Sequence, residues 1–363
     1  MIRSKSSVRN LPVYQPGKSL EEVEQEYGLK DVVKLVSNEN PSGCSPKVSE
    51  ALKGINLFHH YPEPMAPVLR GKLAKMLNMD PRKFIFGNGS SELIQMICRT
   101  FLDSGDEAVL ADFTYSIYQT EVKIEGAAPV FVPLKKGVHD LDAMYEAITN
   151  KTKVVWVCNP NNPTGTLLDQ TSLVSFLTKI PKHVIVVLDE AYIEYVTDPS
   201  CPNSAALLEQ FPQLIVLRTF SKIYGLAAIR MGYAIADTPI IDELHRVRPS
   251  FNTSRFAQQA AVAALEDQEF VADWKKINDQ ERRRLMKQLE EWGIHYYPSH
   301  GNFILFDTGY PSYKVFQFLL ERGIIVRDRL KYPTYIRITI GTPEQNDRFI
   351  QDFAEFLASQ VIA

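Results

Sequence analysis

The sequence predicts an α/β fold, with a largely parallel, doubly wound sheet in a large domain and a smaller α/β domain at the C-terminal end. Three observations carry this prediction. Apolar runs alternate with amphipathic helical patterns over much of the chain, the strand–helix–strand order that a parallel sheet needs. Runs such as "HVIVVL" and "QLIVL" are near-continuous in Val, Ile and Leu, as expected of strands buried on both faces. Near Ser250 the texture changes to a long charged helical stretch and then short strands.

In chain order, strands are expected at "KFIFGN", "EAVLAD", "APVFVPL", "KVVWVCNP", "HVIVVLDE", "QLIVLRTF" and "MGYAIAD". Helices are expected at "SELIQMICRTFL", "HDLDAMYEAI" and "QTSLVSFLTKI". The 363 residues divide into an N-terminal segment (1–44), a large domain (45–250) and a small domain (251–363). The N-terminal segment is expected to pack with the small domain or with a partner subunit. In the small domain, "NFILFD", "GIIVRD" and "YIRITIG" read as strands, and Arg282–Arg284 read as a solvated helix face.

A net charge of −3 argues against a nucleic-acid partner and for small-molecule substrates. Cys44, Cys98, Cys158 and Cys201 are widely spaced with no CxxC pair, which fits free thiols in a reducing cytoplasm and no metal site. Neither a signal peptide nor a membrane-spanning run is legible, so a soluble cytoplasmic protein is expected.

Ligands of doubly wound sheets bind outside the carboxyl ends of the strands, and here five polar clusters follow five strands. In "GNGSSE", Ser90 and Ser91 open a helix whose N-terminus suits a phosphate, although an ordinary serine N-cap is, for this motif alone, the commoner explanation. "NPNNPTG" is a rigid turn able to aim Asn162. Asp189, in "LDEAY", ends the most apolar strand and needs a positive or protonated partner, which an ordinary salt bridge also supplies. Tyr192 lies three residues on. Lys222, in "TFSKIYG", has to pair, snorkel or act as a Schiff-base lysine; Ser221 and Arg230 stand nearby in sequence.

Taken together and in this order, "GNGSSE", "NPNNPTG", "DEAYIEY" and "FSKIYGLAAIRMGY" resemble the fold-type I pyridoxal-phosphate (PLP) aminotransferases. "YQPGK", "VKLVSNENPSG", "YPEPMAPVLR", "RPSFNTSRFAQQAAVAAL", "GNFILFD" and "IRITIGT" narrow the resemblance to the histidinol-phosphate branch of that family and extend it over almost the whole chain. The resemblance implies transamination of L-histidinol phosphate with 2-oxoglutarate in histidine biosynthesis. Lys222 is then the catalytic Schiff-base lysine, and Asp189 pairs with the pyridine nitrogen. Asn162 and Tyr192 hold the ring's 3′ oxygen, and Tyr115 covers its face. Ser90, Ser91, Ser221 and Arg230 hold the cofactor phosphate. Tyr61 is implied to reach the phosphate in the other subunit, hence a homodimer with shared sites. Tyr14, Arg327 and Arg337 are implied to bind substrate.

The chain departs from the family pattern in three places. Ser91, followed by Glu92, stands where an acidic residue is usual. Phe113 replaces a common proline, and the Arg327–Arg337 segment is short and lacks glycine. Alternation in "YIRITI" also leads to a non-core position for Arg337. An aromatic amino-acid aminotransferase is the nearest alternative, and a PLP-dependent decarboxylase of a phosphorylated amino acid the next.

Overall fold

A computed structural model describes residues 3–13, 19–328 and 331–361. Eleven strands are found among them: β1 (Val33–Lys34), β2 (Phe84–Asn88), β3 (Glu107–Ala111), β4 (Ala128–Val132), β5 (Thr152–Cys158), β6 (Ile185–Asp189), β7 (Leu214–Thr219), β8 (Met231–Ala236), β9 (Phe303–Asp307), β10 (Ile324–Ile325) and β11 (Tyr335–Thr339). Seven form one sheet in the order β2-β8-β7-β6-β5-β3-β4, with β8 antiparallel to both neighbours and the other pairings parallel.

The apolar strands are buried on both faces. Along β6, Val186 and Leu188 join one core cluster while Val187, between them, joins the other. This period of two with both sides apolar is why the sequence shows continuous runs rather than alternation. Parallel pairing brings the carboxyl ends of β3, β5, β6 and β7 to one rim, and β2, antiparallel to β8 as β7 is, ends there too. The antiparallel β8 begins at that same rim, so the segment joining β7 to β8 stays there throughout.

C-terminal to residue 250, the charged stretch forms two helices rather than one, Arg255–Leu265 and Gln268–Glu291. Asp267 caps the second, and Ser45 donates to its carboxylate from the N-terminal side of the chain. The long helix spans both cores: Val271 and Trp274 pack in the large cluster, Leu285 and Leu289 in the small one. The Arg282–Arg284 run departs from the solvated face expected of it. Arg282 is 3% exposed, pairs with Asp279 and donates to the Gly301 carbonyl; only its neighbours turn outward, towards Asp279, Glu281 and Asp347.

β9 and β11 form an antiparallel pair, whereas β10, two residues long, pairs in parallel with β1. Leu35 thereby joins the small core, and Val23, on the helix Leu20–Tyr27, packs with Leu320 and Ile325. No described helix is long and apolar enough to cross a membrane.

Candidate active site

A cavity of about 640 Å³ opens at the rim, between the strand ends of the large sheet and the residues around β11. It is lined by Ser90, Ser91, Tyr115, Asn162, Asp189, Tyr192, Ser221, Lys222, Arg230, Arg327 and Arg337, eleven of the thirteen residues the sequence singled out. Tyr61 does not line it. That residue is 76% exposed and stacks on Phe251 at 4.4 Å. Tyr14 lies outside the described residues.

Asp189, the last residue of β6, is 3% exposed. Its partner is a tyrosine rather than the cation a salt bridge would supply. Oδ2 accepts from the Tyr118 hydroxyl at 2.6 Å and Oδ1 from the Ala191 N–H at 3.2 Å. Burial raises its carboxyl from the ordinary 3.8 to about 6, against the opposing pull of those two bonds. Tyr118 is fully buried and stacked on Trp156 at 4.7 Å. Sequence reasoning missed it. Its signal was the second tyrosine of "TYSIY", three residues beyond Tyr115 at the start of the helix Ile117–Ile124.

Lys222 follows β7 in the segment that returns to β8. Gly225, at φ +68°, lets that segment lie against the N-terminal chain; a Cβ there would fall 1.8 Å from the Gly43 carbonyl oxygen. Lys222 Nζ donates to the Ser37 carbonyl at 3.2 Å and lies 5.6 Å from the Tyr192 ring centre. Burial, and then the charge of Arg337, lower its amine to about 8.

At the other end is a nest of donors. The helix Ser90–Phe101 starts at Gly89, which has no side chain to cap it. Gly89 sits at φ +76°, and a Cβ on it would fall 2.2 Å from Arg230 Nη2, so the guanidinium occupies the space a side chain would fill. Arg230, itself left-handed at φ +58°, donates to Ser221 Oγ at 3.4 Å and to the Ala227 carbonyl at 3.0 Å. Glu92 turns away, accepting from Asn88 N–H at 2.7 Å and Asn252 Nδ2 at 2.6 Å, and so leaves the nest positive. Backbone N–H groups, hydroxyls and a guanidinium with no carboxylate among them suit a phosphate.

The remaining wall comes from Arg327, Lys331 and Arg337. Arg337, on β11, is 9% exposed and buried against the cavity. Its Nη1 donates to Asn162 Oδ1 at 2.6 Å and its Nη2 to the Val36 carbonyl at 2.7 Å. Its Nε is buried without a partner among the described residues. Desolvation lowers its guanidinium to about 10. Strand alternation kept it out of the apolar core, as expected, yet facing the cavity has buried it all the same. Arg327 pairs with it through backbone bonds of 3.0 and 2.9 Å, and its exposed side chain has no ion-pair partner among the described residues. Phe113 meets Tyr332 of this wall edge-on at 5.0 Å, and Lys331 reaches Asp112 at 2.5 Å.

A buried carboxylate, a weakened lysine amine and a nest of hydrogen-bond donors therefore lie along one cavity. Such a row suits a flat ring that carries a basic nitrogen at one edge and a phosphate at the other.

Comparison with known proteins agrees with this chemistry. The family model for class I and II aminotransferases matches residues 30–353. A histidinol-phosphate aminotransferase of Geobacillus sp. (strain WCH70) is 50% identical over 356 residues, 97% of this chain and 98% of the relative. That of Bacillus subtilis (strain 168) is 48% identical over 98% of this chain and its own full length. Among solved structures, the histidinol-phosphate aminotransferase from Sinorhizobium meliloti in complex with pyridoxal-5'-phosphate superposes with a TM-score of 0.90. It is 27% identical, over 99% of this chain and 98% of its own. With the family model spanning both the strand-end rim and the Arg337 wall, this chain belongs to the class I and II aminotransferases.

Proposed function

We propose that the chain is a PLP-dependent aminotransferase that transaminates L-histidinol phosphate with 2-oxoglutarate in histidine biosynthesis. The observation that carries this reading is the convergence of Lys222, Asp189 and the Arg327–Arg337 pair on one cavity, in a chain 50% identical along nearly its whole length to a relative of that name.

Bound in this row of groups, PLP supplies an electron sink that lets the substrate's Cα proton leave and its amino group be transferred. Asp189 would hold the pyridine nitrogen, since a buried carboxylate favours a protonated partner. Ser90, Ser91, Ser221 and Arg230 would hold the phosphate, Tyr115 would cover the ring, and Asn162 and Tyr192 would hold its 3′ oxygen. Lys222 would hold the cofactor and would take up and return the proton at the substrate's Cα. An amine lowered to about 8 keeps a useful neutral fraction near neutral pH. Arg337 binds the substrate's acidic group, and Arg327 and Tyr14 complete substrate binding.

The assembly is proposed as a homodimer in the cytoplasm. The support is an exposed aromatic face, with Phe58 stacked on Phe256 at 5.9 Å and Tyr61 on Phe251. Tyr61, exposed and away from its own cavity, is free on this reading to reach the partner's phosphate. A large PLP-binding unit over 45–250 and a smaller unit over 251–363 remain the proposed division, with 1–44 joining the small core or the partner.

The test is a half-reaction panel followed through the cofactor's visible band. Histidinol phosphate and glutamate are expected to discharge the band fastest, ahead of histidinol, phenylalanine and tyrosine. Phenylalanine or tyrosine as the best donor would replace the substrate assignment with an aromatic one. Carbon dioxide released without a keto product would make the protein a decarboxylase.

A further inference from the structure

Asn38 has a left-handed backbone at φ +54°, unusual for a residue other than glycine, and is 1% exposed on the cavity wall. It ties together three separate parts of the chain. Its N–H donates to Thr339 Oγ1 on β11 at 2.9 Å, and its carbonyl accepts from Asn302 Nδ2 at 3.0 Å. Its side-chain amide donates to the Tyr192 hydroxyl at 3.1 Å, while Oδ1 accepts from Thr339 Oγ1 at 3.3 Å.

The direction of these bonds follows from which groups can only donate. Arg337 has no acceptor, so the 2.6 Å contact fixes Asn162 Oδ1 toward the guanidinium and turns Asn162 Nδ2 to Tyr192, at 3.4 Å. Thr339 Oγ1 accepts from the Asn38 backbone and passes its own proton to Asn38 Oδ1, which turns Asn38 Nδ2 to Tyr192 as well. A tyrosine hydroxyl has one proton and two lone pairs, and here two amides donate to those lone pairs. The titratable groups around it are Arg337, Lys222, Cys158, Tyr115 and Tyr195, and none of them accepts its proton in the hydrogen bonds among the described residues.

We propose that Asn38 is a positioning residue that, with Asn162, occupies the lone pairs of Tyr192 and so leaves its proton to be donated only into the cavity, toward the 3′ oxygen of the cofactor ring. The inference rests on the reading that PLP lies there. It gives the N-terminal segment, through one residue, control over the charge on that oxygen.

Asn38→Asp is the discriminating change. It is nearly isosteric, tolerates the left-handed backbone and keeps the acceptor for Thr339, but it offers Tyr192 an acceptor in place of a donor. The readout is the pH midpoint of the cofactor's visible band, measured in the parent, Asn38→Asp, Tyr192→Phe and the double variant. With Tyr192 turned away, the ring oxygen keeps more negative charge and holds the neighbouring proton more tightly. The midpoint in Asn38→Asp is therefore expected to rise by about one pH unit, close to that of Tyr192→Phe, and to rise much less on the Tyr192→Phe background. An equal rise on both backgrounds means through-space charge alone and overturns the proposal, as does no rise at all. A parent protein without any PLP band overturns the functional reading together with this one, whereas a normal parent band with an unshifted variant overturns only this one.

Should Asn38→Asp fail to fold, Asn38→Gly keeps the left-handed backbone. In that background Tyr192→Phe is expected to weaken PLP binding less than it does in the parent. Equal losses would again count against the proposal.

Discussion

On the large-sheet side of the cavity, Asp189, Ser90, Lys222 and Arg230 sit at or just beyond strand ends hydrogen-bonded to neighbouring strands. On the opposite side, Arg327 follows a two-residue strand and its exposed side chain is unpaired among the described residues. Arg337 stands between these extremes, buried on a five-residue strand but bonded across the cavity to Asn162. The contrast suggests a division of labour. On the proposed reading, groups that need fixed geometry are anchored by the sheet, and groups that would select a substrate project from the less tied wall. Substitutions on the two walls should therefore fail in different ways.

The largest effect is expected from Lys222→Ala. On the proposed reading it removes both the covalent attachment and the proton-transfer group, so turnover should fall by about 10⁴-fold or more. PLP should still bind, because Asp189 and the phosphate nest are untouched. Parallel assays of turnover and bound cofactor absorbance check both halves. Near-normal turnover would put the proton transfer on another base.

A stability measurement on the cofactor-free protein probes the same wall. Asp189 is raised from 3.8 to about 6, so between those values the folded state binds more protons than the unfolded one. Its contribution to stability therefore falls as pH rises through that window, and the full cost is present above about 6. Asn in its place still accepts from Tyr118 without the buried charge. Cofactor-free Asp189→Asn should unfold at a higher urea midpoint than the parent at pH 7.5, by up to about 3 kcal/mol, with the advantage vanishing near pH 4. An advantage that persists at pH 4 would trace the gain to packing. The same variant should bind PLP more weakly, which sets function against stability at one position.

The anchored wall was largely legible in the sequence because strand-end placement is a local property. "LDEAY" and "TFSKIYG" each follow an apolar run, and parallel pairing brings such ends to one rim. The partners of those groups were less legible. Tyr118 reaches Asp189 from 71 positions away, and Asn38 reaches Tyr192 from 154. "SNEN" and "TYSIY" gave only polar or aromatic residues near an element boundary, with nothing local to say what they touch. The burial of Arg282 escaped for a related reason. Charge density read as a solvated helix face, but the Gly301 carbonyl and Asp279 accept the guanidinium inside the fold.

The smallest effect, and the sharpest on the comparison, is expected from Arg327→Ala. Its guanidinium is exposed, so its attraction for a phosphate is screened by salt and is worth about tenfold in kcat/KM at low ionic strength. Its backbone bonds to Arg337 do not depend on the side chain and should survive the change. The loss should therefore fall on histidinol phosphate, spare glutamate, and fade in 0.5 M salt (roughly a 4 Å screening length). Assays of both donors across a salt series check this. If glutamate suffers equally, Arg327 acts through Arg337 on both substrates, and substrate choice is not separable from the anchored part of the site.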